Sequence, residues 1–214
     1  MPFFGHTRLS DITPWHIEQY KKARKEAGKA PGTINTELAV LKALLHKAVE
    51  WNMVAEHPGK SVKRVKDPRH TTRFLTDEEE ERILAACSPA LRRVVQAGLL
   101  TGFRRQELAF LRPEDIDLNR GTVNIAAAYS KNGESRTLPL GPRLKALLQE
   151  LLAHQGDVLT VFATETGEAW TPGALAKAFR DTCKKAGVGS LGPHVLRHTF
   201  ASRLIMAGVD LRTV

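Results

Sequence analysis

The chain has 214 residues, of which 42% are hydrophobic and 26% charged, so it is neither collagen-like nor fully disordered and can bury one or two cores. Its 32 lysines and arginines against 23 aspartates and glutamates give a net charge of +9, which favours a polyanionic partner. No apolar run reaches the roughly 18 residues of a membrane span, and the N-terminus lacks a secretory signal pattern, so we expect a cytoplasmic, nucleoid-associated protein.

The first third of the chain is its most basic part. Residues 1–70 carry 13 Lys and Arg against 7 Asp and Glu, a net charge of +6, and the rest of the chain supplies the remaining +3. Basic residues cluster at 21–29 and again at 60–69. These two clusters are suited to contact with a phosphate backbone.

Two helices are predicted in the first 60 residues. The first has Thr13 as its N-cap and Pro14 at its first position, and Gly28 ends it. Thr33 is the predicted N-cap of the second helix, whose apolar residues fall on one face and leave a polar face free for another surface. The stretch at 57–68 favours neither helix nor strand and is interpreted as an interdomain linker. The apolar face comprises Ile34, Leu38, Leu41, Leu45 and Ala48, and the polar face includes Asn35, Lys42, His46 and Lys47.

The rest of the chain is predicted to be mostly helical, with one β-hairpin. Thr76 and Glu79 form a capping box at the first helix, and Ser88 caps the next. Two strand-like segments are joined through a Lys-Asn-Gly sequence, a strong hairpin signal that places Lys131 at a hairpin tip. The predicted strands lie around 121–127 and 135–140, and the predicted helices lie at 76–87, 89–102, 104–111, 143–154, 172–186 and 192–208.

Two groups of residues have the chemistry of a phosphate site. His194, Arg197 and His198 lie at i, i+3 and i+4, so they project from one face near a helix N-terminus, where imidazoles, a guanidinium and free amides can bind phosphate. Arg104 follows a glycine turn, with Glu107 one helical turn later to orient it. A zinc site on the two histidines is the alternative, but no carboxylate accompanies them and Arg197 would repel the cation. We therefore predict no metal and no other cofactor.

Three motifs in this order, TGFRRQEL, YSKNGESRTLPL and HVLRHTFASRLIMAG, resemble the catalytic domain of tyrosine recombinases, the phage-integrase family. The residues before them resemble the helical core-binding domain of the same enzymes. The resemblance implies a mainly α fold with a small β-sheet (α+β) that clamps duplex DNA. It also implies a core-binding domain at 1–66, a linker at 67–72 and a catalytic domain at 73–214 that is incomplete at its C-terminus.

The resemblance implies a role for each matching residue. Arg104 and Arg197 would contact the non-bridging oxygens of the scissile phosphate, and Lys131 would protonate the departing 5′-oxygen. His194 would act as a general acid/base or as a hydrogen-bond partner of the phosphate. Glu107 would orient Arg104, and His198 would be a support. The predicted DNA contacts outside this site are Thr33, Asn35, Lys42, Lys47, Lys63 and Arg64.

The nucleophile of the family is missing from the matching motifs. The family pattern continues after GVDLRTV with a Gly-His segment and a nucleophilic tyrosine, whereas the only tyrosines of this chain, Tyr20 and Tyr129, match neither position. We therefore expect this chain to bind double-stranded DNA without forming the 3′-phosphotyrosyl link of the full recombinase, and to assemble only weakly into a tetramer. A DNA-binding regulatory module without catalysis and a metal-dependent hydrolase that uses His194 and His198 are the alternatives.

Overall fold

The computed structural model describes residues 3–66, 73–129, 134–154 and 159–210 of the chain. The chain divides into two compact units, Met1–Thr71 and Thr72–Val214. The predicted linker at 67–72 and the predicted hairpin tip at Lys131 lie outside the described residues. Across the described residues the fold is mainly α with a small antiparallel sheet, as predicted.

The first unit is built on two helices that begin at prolines. They are α1 (Pro14–Glu26) and α2 (Pro31–Glu50). α1 has its predicted cap, since the Thr13 hydroxyl accepts a hydrogen bond from the His16 backbone N–H. The predicted cap of α2 is wrong, because Pro31 fixes a helical φ two residues earlier and places Thr33 inside the first turn.

The core of the first unit uses the apolar face predicted for α2. Ile34 and Leu45 of α2 are fully buried, as is Ile17 of α1. Leu41 is half-buried and packs against the same cluster, to which Val62 also belongs. The hydrophobic periodicity of α2 therefore identified its buried face.

The basic stretch after α2 packs on the first unit and is not a free linker up to residue 66. The ammonium of Lys21 donates to the Lys63 carbonyl at 2.8 Å, and that of Lys42 donates to the Val62 carbonyl at 2.6 Å. Asn35 forms two hydrogen bonds with the Val65 backbone, donating to its carbonyl and accepting from its N–H. Residues 62–65 therefore pack against part of the predicted polar face of α2, and the DNA contacts predicted for Asn35 and Lys42 stay predictions.

The second unit combines helices with a three-stranded antiparallel sheet, whose central strand contributes Val123 and Ile125 to the core. The strands are β1 (Ile116–Asp117), β2 (Thr122–Ile125) and β3 (Arg136–Pro139), in the order β1-β2-β3. The helices are α3 (Asp77–Ala86), α4 (Pro89–Thr101), α5 (Arg105–Ala109), α6 (Pro142–His154), α7 (Pro172–Lys185) and α8 (His194–Met206). The Thr76–Glu79 capping box and the Ser88 cap form as predicted, whereas β1 was not predicted.

Two features of this unit set the position of α8. α4 and α8 approach closely, since a Cβ placed on Gly98 would lie 2.9 Å from Leu196 Cδ1. The Thr199 hydroxyl of α8 is buried and accepts a hydrogen bond from the Leu75 backbone N–H at 2.9 Å. α8 is therefore fixed both against α4 and against the segment that precedes α3.

None of the described helices is long and apolar enough to cross a membrane.

Candidate active site

Three arginines from distant parts of the sequence line one pocket of the second unit, which we call the arginine pocket. They are Arg104 before α5, Arg136 on β3 and Arg197 on α8, and the pocket has a volume of about 530 Å³. The rest of its wall is mostly apolar. That wall includes Leu100, Phe103, Val123, Leu138, Phe200 and Leu204.

Arg104 is held at the junction between α4 and α5. Gly102 caps the C-terminus of α4, and its φ of +63° is in the left-handed region that favours glycine. The Arg104 backbone N–H then donates to Glu107 Oε2 at 2.8 Å, and its Nη1 donates to Glu107 Oε1 at 3.0 Å. Glu107 therefore fixes both the start of α5 and the guanidinium of Arg104.

Arg197 is fixed to the same junction from α8. Its Nη1 donates to the Gly102 carbonyl at 2.7 Å, and its neighbours Val195, Leu196 and Thr199 are buried. Arg197 thus shares the arginine pocket with Arg104 through the backbone turn that positions Arg104. The structure brings these two predicted residues together.

Arg136 is a residue of the pocket that received no role from the sequence, although it lies in the motif YSKNGESRTLPL. It begins β3, pairs with Ile125 across the sheet, and its Nη2 donates to Glu107 Oε2 at 2.8 Å. Leu138, two residues along the strand, also lines the pocket. The period-two alternation of the predicted strand places positions 136 and 138 on one face, and this was the available signal.

The cluster of three guanidiniums and one carboxylate carries an excess of positive charge. The Glu107 side chain has no exposed surface. Its burial opposes ionisation, but hydrogen bonds from the Arg104 backbone and from the Arg136 and Arg104 guanidiniums outweigh it and hold the pKa of Glu107 below its usual value. Burial and then repulsion from Arg104 lower the pKa of Arg197, and Arg136 adds to that repulsion. An anion in the pocket would relieve this repulsion.

The two predicted histidines of α8 are placed differently from Arg197. His194 and His198 are both exposed, and neither is among the described residues that line the arginine pocket. Their predicted catalytic and supporting roles remain predictions, as does the role of Lys131. The described residues contain no group of three or more His, Cys, Asp or Glu side chains that could hold a metal ion.

The predicted DNA contacts of the first unit differ in how accessible they are. Lys47 is exposed, and its ammonium lies 2.6 Å from a Glu50 carboxylate oxygen. Thr33, Lys63 and Arg64 are also exposed. Asn35 and Lys42 are half-buried and hydrogen-bond to residues 62–65, and all six residues remain predicted DNA contacts.

Comparisons with known proteins agree on one family. The family model described as "Phage integrase family" matches residues 73–214. The chain is 27% identical to the tyrosine recombinase XerC of Thermodesulfovibrio yellowstonii over 99% of the chain and 75% of the relative. It is 29% identical to the integrase of Salmonella phage P22 over 92% of the chain, although it spans only 56% of that protein.

Solved structures share the fold at low sequence identity. The Tn1549 transposon integrase in complex with circular intermediate DNA has 20% identity and a TM-score of 0.81, over 98% of this chain and 78% of that one. A lambda integrase dimer bound to a COC' core site has 21% identity and a TM-score of 0.81, over 95% of this chain and 77% of that one.

Proposed function

Because the chain belongs to the phage integrase family, we propose that it binds duplex DNA and holds one phosphodiester in the arginine pocket, as part of a site-specific recombinase. The observation that carries this proposal is the convergence of Arg104 and Arg197 on one pocket with surplus positive charge. The structural neighbours were solved in complex with DNA, which supports DNA as the partner.

The proposed chemistry is strand cleavage and rejoining. The guanidiniums of Arg104 and Arg197 donate to the non-bridging oxygens, where negative charge builds up in the transition state. By analogy with other preorganised donors, each contributes on the order of 3 kcal/mol. Lys131 protonates the departing 5′-oxygen, and His194 assists as an acid/base or hydrogen-bond partner. Both residues are assigned from the family motif.

The proposed nucleophile is a tyrosine outside these 214 residues. Tyr20 is unsuited to the role, because its hydroxyl donates to Glu37 at 2.9 Å and burial raises its pKa. It also lies in the first unit, among the residues packed against that unit's core. The apolar wall of the arginine pocket would suit the phenyl ring of a phosphotyrosyl intermediate. The chain alone therefore binds DNA without cleaving it, and we propose that it forms the recombinase tetramer only weakly.

A gel experiment with a nicked duplex tests the DNA-binding part of this proposal. We expect a complex under native conditions, no covalent adduct under denaturing conditions, and a log–log salt slope of about 0.9 for each phosphate contacted. A covalent protein–DNA adduct would overturn the proposal that the nucleophile lies outside these 214 residues. Binding that is unchanged between low and moderate salt would overturn the assignment of a phosphate-backbone partner.

Stabilisation by inorganic phosphate tests whether the arginine pocket binds a phosphate group. At matched ionic strength, phosphate should raise the melting temperature above that in chloride, because a ligand that binds the folded state stabilises it. Arg197→Ala should abolish this increase, while leaving duplex affinity within about twofold because many other cations contact the DNA. Arg120→Ala, at a side chain that is 85% exposed, is the matched control and should behave as the unmodified chain. Equal phosphate stabilisation in all three proteins would refute the proposal that the arginine pocket binds phosphate.

A further inference from the structure

We propose that Arg136 is a third phosphate-contacting residue of the arginine pocket, a role that rests on the proposed function of this pocket. The motifs that suggested Arg104 and Arg197 give Arg136 no role. Its assignment comes from its position on β3, its contact with Glu107 and the pocket that it lines.

The first argument is the equivalence of Arg136 and Arg104. Each donates from one guanidinium nitrogen to a different oxygen of Glu107, at 2.8 Å and 3.0 Å. Their side chains have nearly the same exposure, 32% and 31%. A guanidinium carries five N–H donors, so one bond to the carboxylate leaves others for a ligand. Arg136 can therefore bind a pocket anion in the way proposed for Arg104.

The second argument excludes a role limited to neutralising Glu107. Arg104 already supplies that carboxylate with a guanidinium and a backbone N–H. A further cation is not required for neutrality, and Arg136 also repels Arg197, which has its pKa lowered in part by this neighbour. Such a surplus of charge is unfavourable in an empty pocket and becomes favourable when a phosphate enters it.

The third argument is geometric and concerns β3. Arg136, Leu138 and the strand's last residue, Pro139, line the pocket, whereas Thr137 is exposed and is not among the described lining residues. The pairing of Arg136 with Ile125 fixes this strand face. The guanidinium therefore starts from a backbone fixed by the sheet, which limits the entropy lost when it binds a ligand.

The test measures the dissociation constant of inorganic phosphate from its stabilisation of the whole chain, with chloride at equal ionic strength as reference. Arg136→Gln should weaken phosphate binding about tenfold, since it removes a charge-assisted hydrogen bond. Arg136→Lys retains the charge and should bind within about threefold of the unmodified chain. Arg112→Gln, at a half-exposed arginine outside the pocket lining, should change nothing.

The outcomes separate this inference from the proposed function. If the unmodified chain shows no phosphate stabilisation, both are overturned. If it does, and Arg197→Ala loses the effect while Arg136→Gln keeps the original affinity, only the role of Arg136 is overturned. Circular dichroism confirms the folding of each variant.

Chemical protection tests the same inference without any variant. Phenylglyoxal modifies accessible guanidiniums, and peptide mass spectrometry locates the modified arginines. Phosphate and, in a separate arm, duplex DNA should each slow the modification of Arg136 as they slow that of Arg104, while Arg112 reacts unchanged. Protection by phosphate alone would show an ion-binding site that DNA does not use, and would overturn the role in DNA binding. Equal reactivity of Arg136 in all arms would overturn the contact altogether.

Discussion

Replacing Glu107 with glutamine should destabilise the second unit strongly. The carboxylate has no exposed surface and accepts hydrogen bonds from the Arg104 backbone, the Arg104 guanidinium and Arg136. A glutamine of the same size directs an NH₂ group at one of these donors and removes the only negative charge of the cluster. Breaking a buried ion pair costs about 3–5 kcal/mol, and we use the lower limit of about 3 because both arginines retain about a third of their exposure to water.

The expected change in melting temperature follows from the size of the second unit. Residues 72–214 correspond to an unfolding entropy of about 0.3 kcal/mol per kelvin, so a loss of about 3 kcal/mol lowers the melting temperature by about 10 °C. Thermal unfolding followed by circular dichroism at neutral pH measures this change. Glu114→Gln is the control: this exposed carboxylate pairs with Arg112, and loss of such a surface ion pair costs at most about 1 kcal/mol.

The pH dependence provides a second readout of the same change. The pKa of Glu107 is lower in the folded state than its ordinary value of 4.5, so its stabilisation is fully present above the unfolded pKa and is lost as the pH falls through the folded pKa. The difference between the unmodified chain and Glu107→Gln should therefore be constant above about pH 5 and shrink below it. A variant that melts within about 3 °C of the unmodified chain at pH 7 would refute the reasoning, as would a difference that grows on acidification.

Three further changes have outcomes that the structure determines. Gly102→Ala should cost about 2–4 kcal/mol in urea unfolding, because a Cβ there would lie 2.5 Å from Phe200 Cδ1 and the backbone has a φ of +63°; a loss below 1 kcal/mol would contradict this reasoning. Asn35→Ala should cost about 2 kcal/mol by the same measurement, since it removes two hydrogen bonds to the Val65 backbone. Lys63→Ala should leave stability unchanged and reduce the log–log salt slope of duplex binding by about 0.9, and an unaltered slope would remove Lys63 from the DNA contacts.

Local chemistry in the sequence was enough to predict most helix boundaries. The hydroxyls of Thr13, Thr76 and Ser88 accept from backbone N–H groups of their own first turns, an interaction that depends on few neighbouring residues. Thr33 failed as a cap because two signals lay close together and the proline at position 31 started the helix first. A helix boundary set by short-range contacts can therefore be predicted when only one cap or proline signal is present.

The arginine pocket includes a residue whose position could not be predicted from local sequence. Arg104 and Arg197 could be assigned because they lie in motifs that resemble a known family. Arg136 lies in the same motif as Lys131, but no role was assigned to it, and its position in the pocket depends on the register of β3 against β2 and on a carboxylate on another element. The contact between Arg136 and Glu107 depends on how distant segments pack together. Periodicity within one segment can suggest which residues share a face, but it does not determine that packing.

The first unit shows why counting cations is a weak guide to a DNA surface. Lys21 and Lys42 were part of the positive charge that suggested a polyanion partner, yet both donate to carbonyls of residues 62–65. Arg24 is similarly paired with Glu37. These interactions hold the backbone of the basic stretch on the helices, while Lys63 and Arg64 stay exposed. Lys21 and Lys42 therefore help to fix the backbone that carries Lys63 and Arg64. Because Lys63 and Arg64 are exposed, we expect them to contact phosphate more readily than Lys21 and Lys42 do.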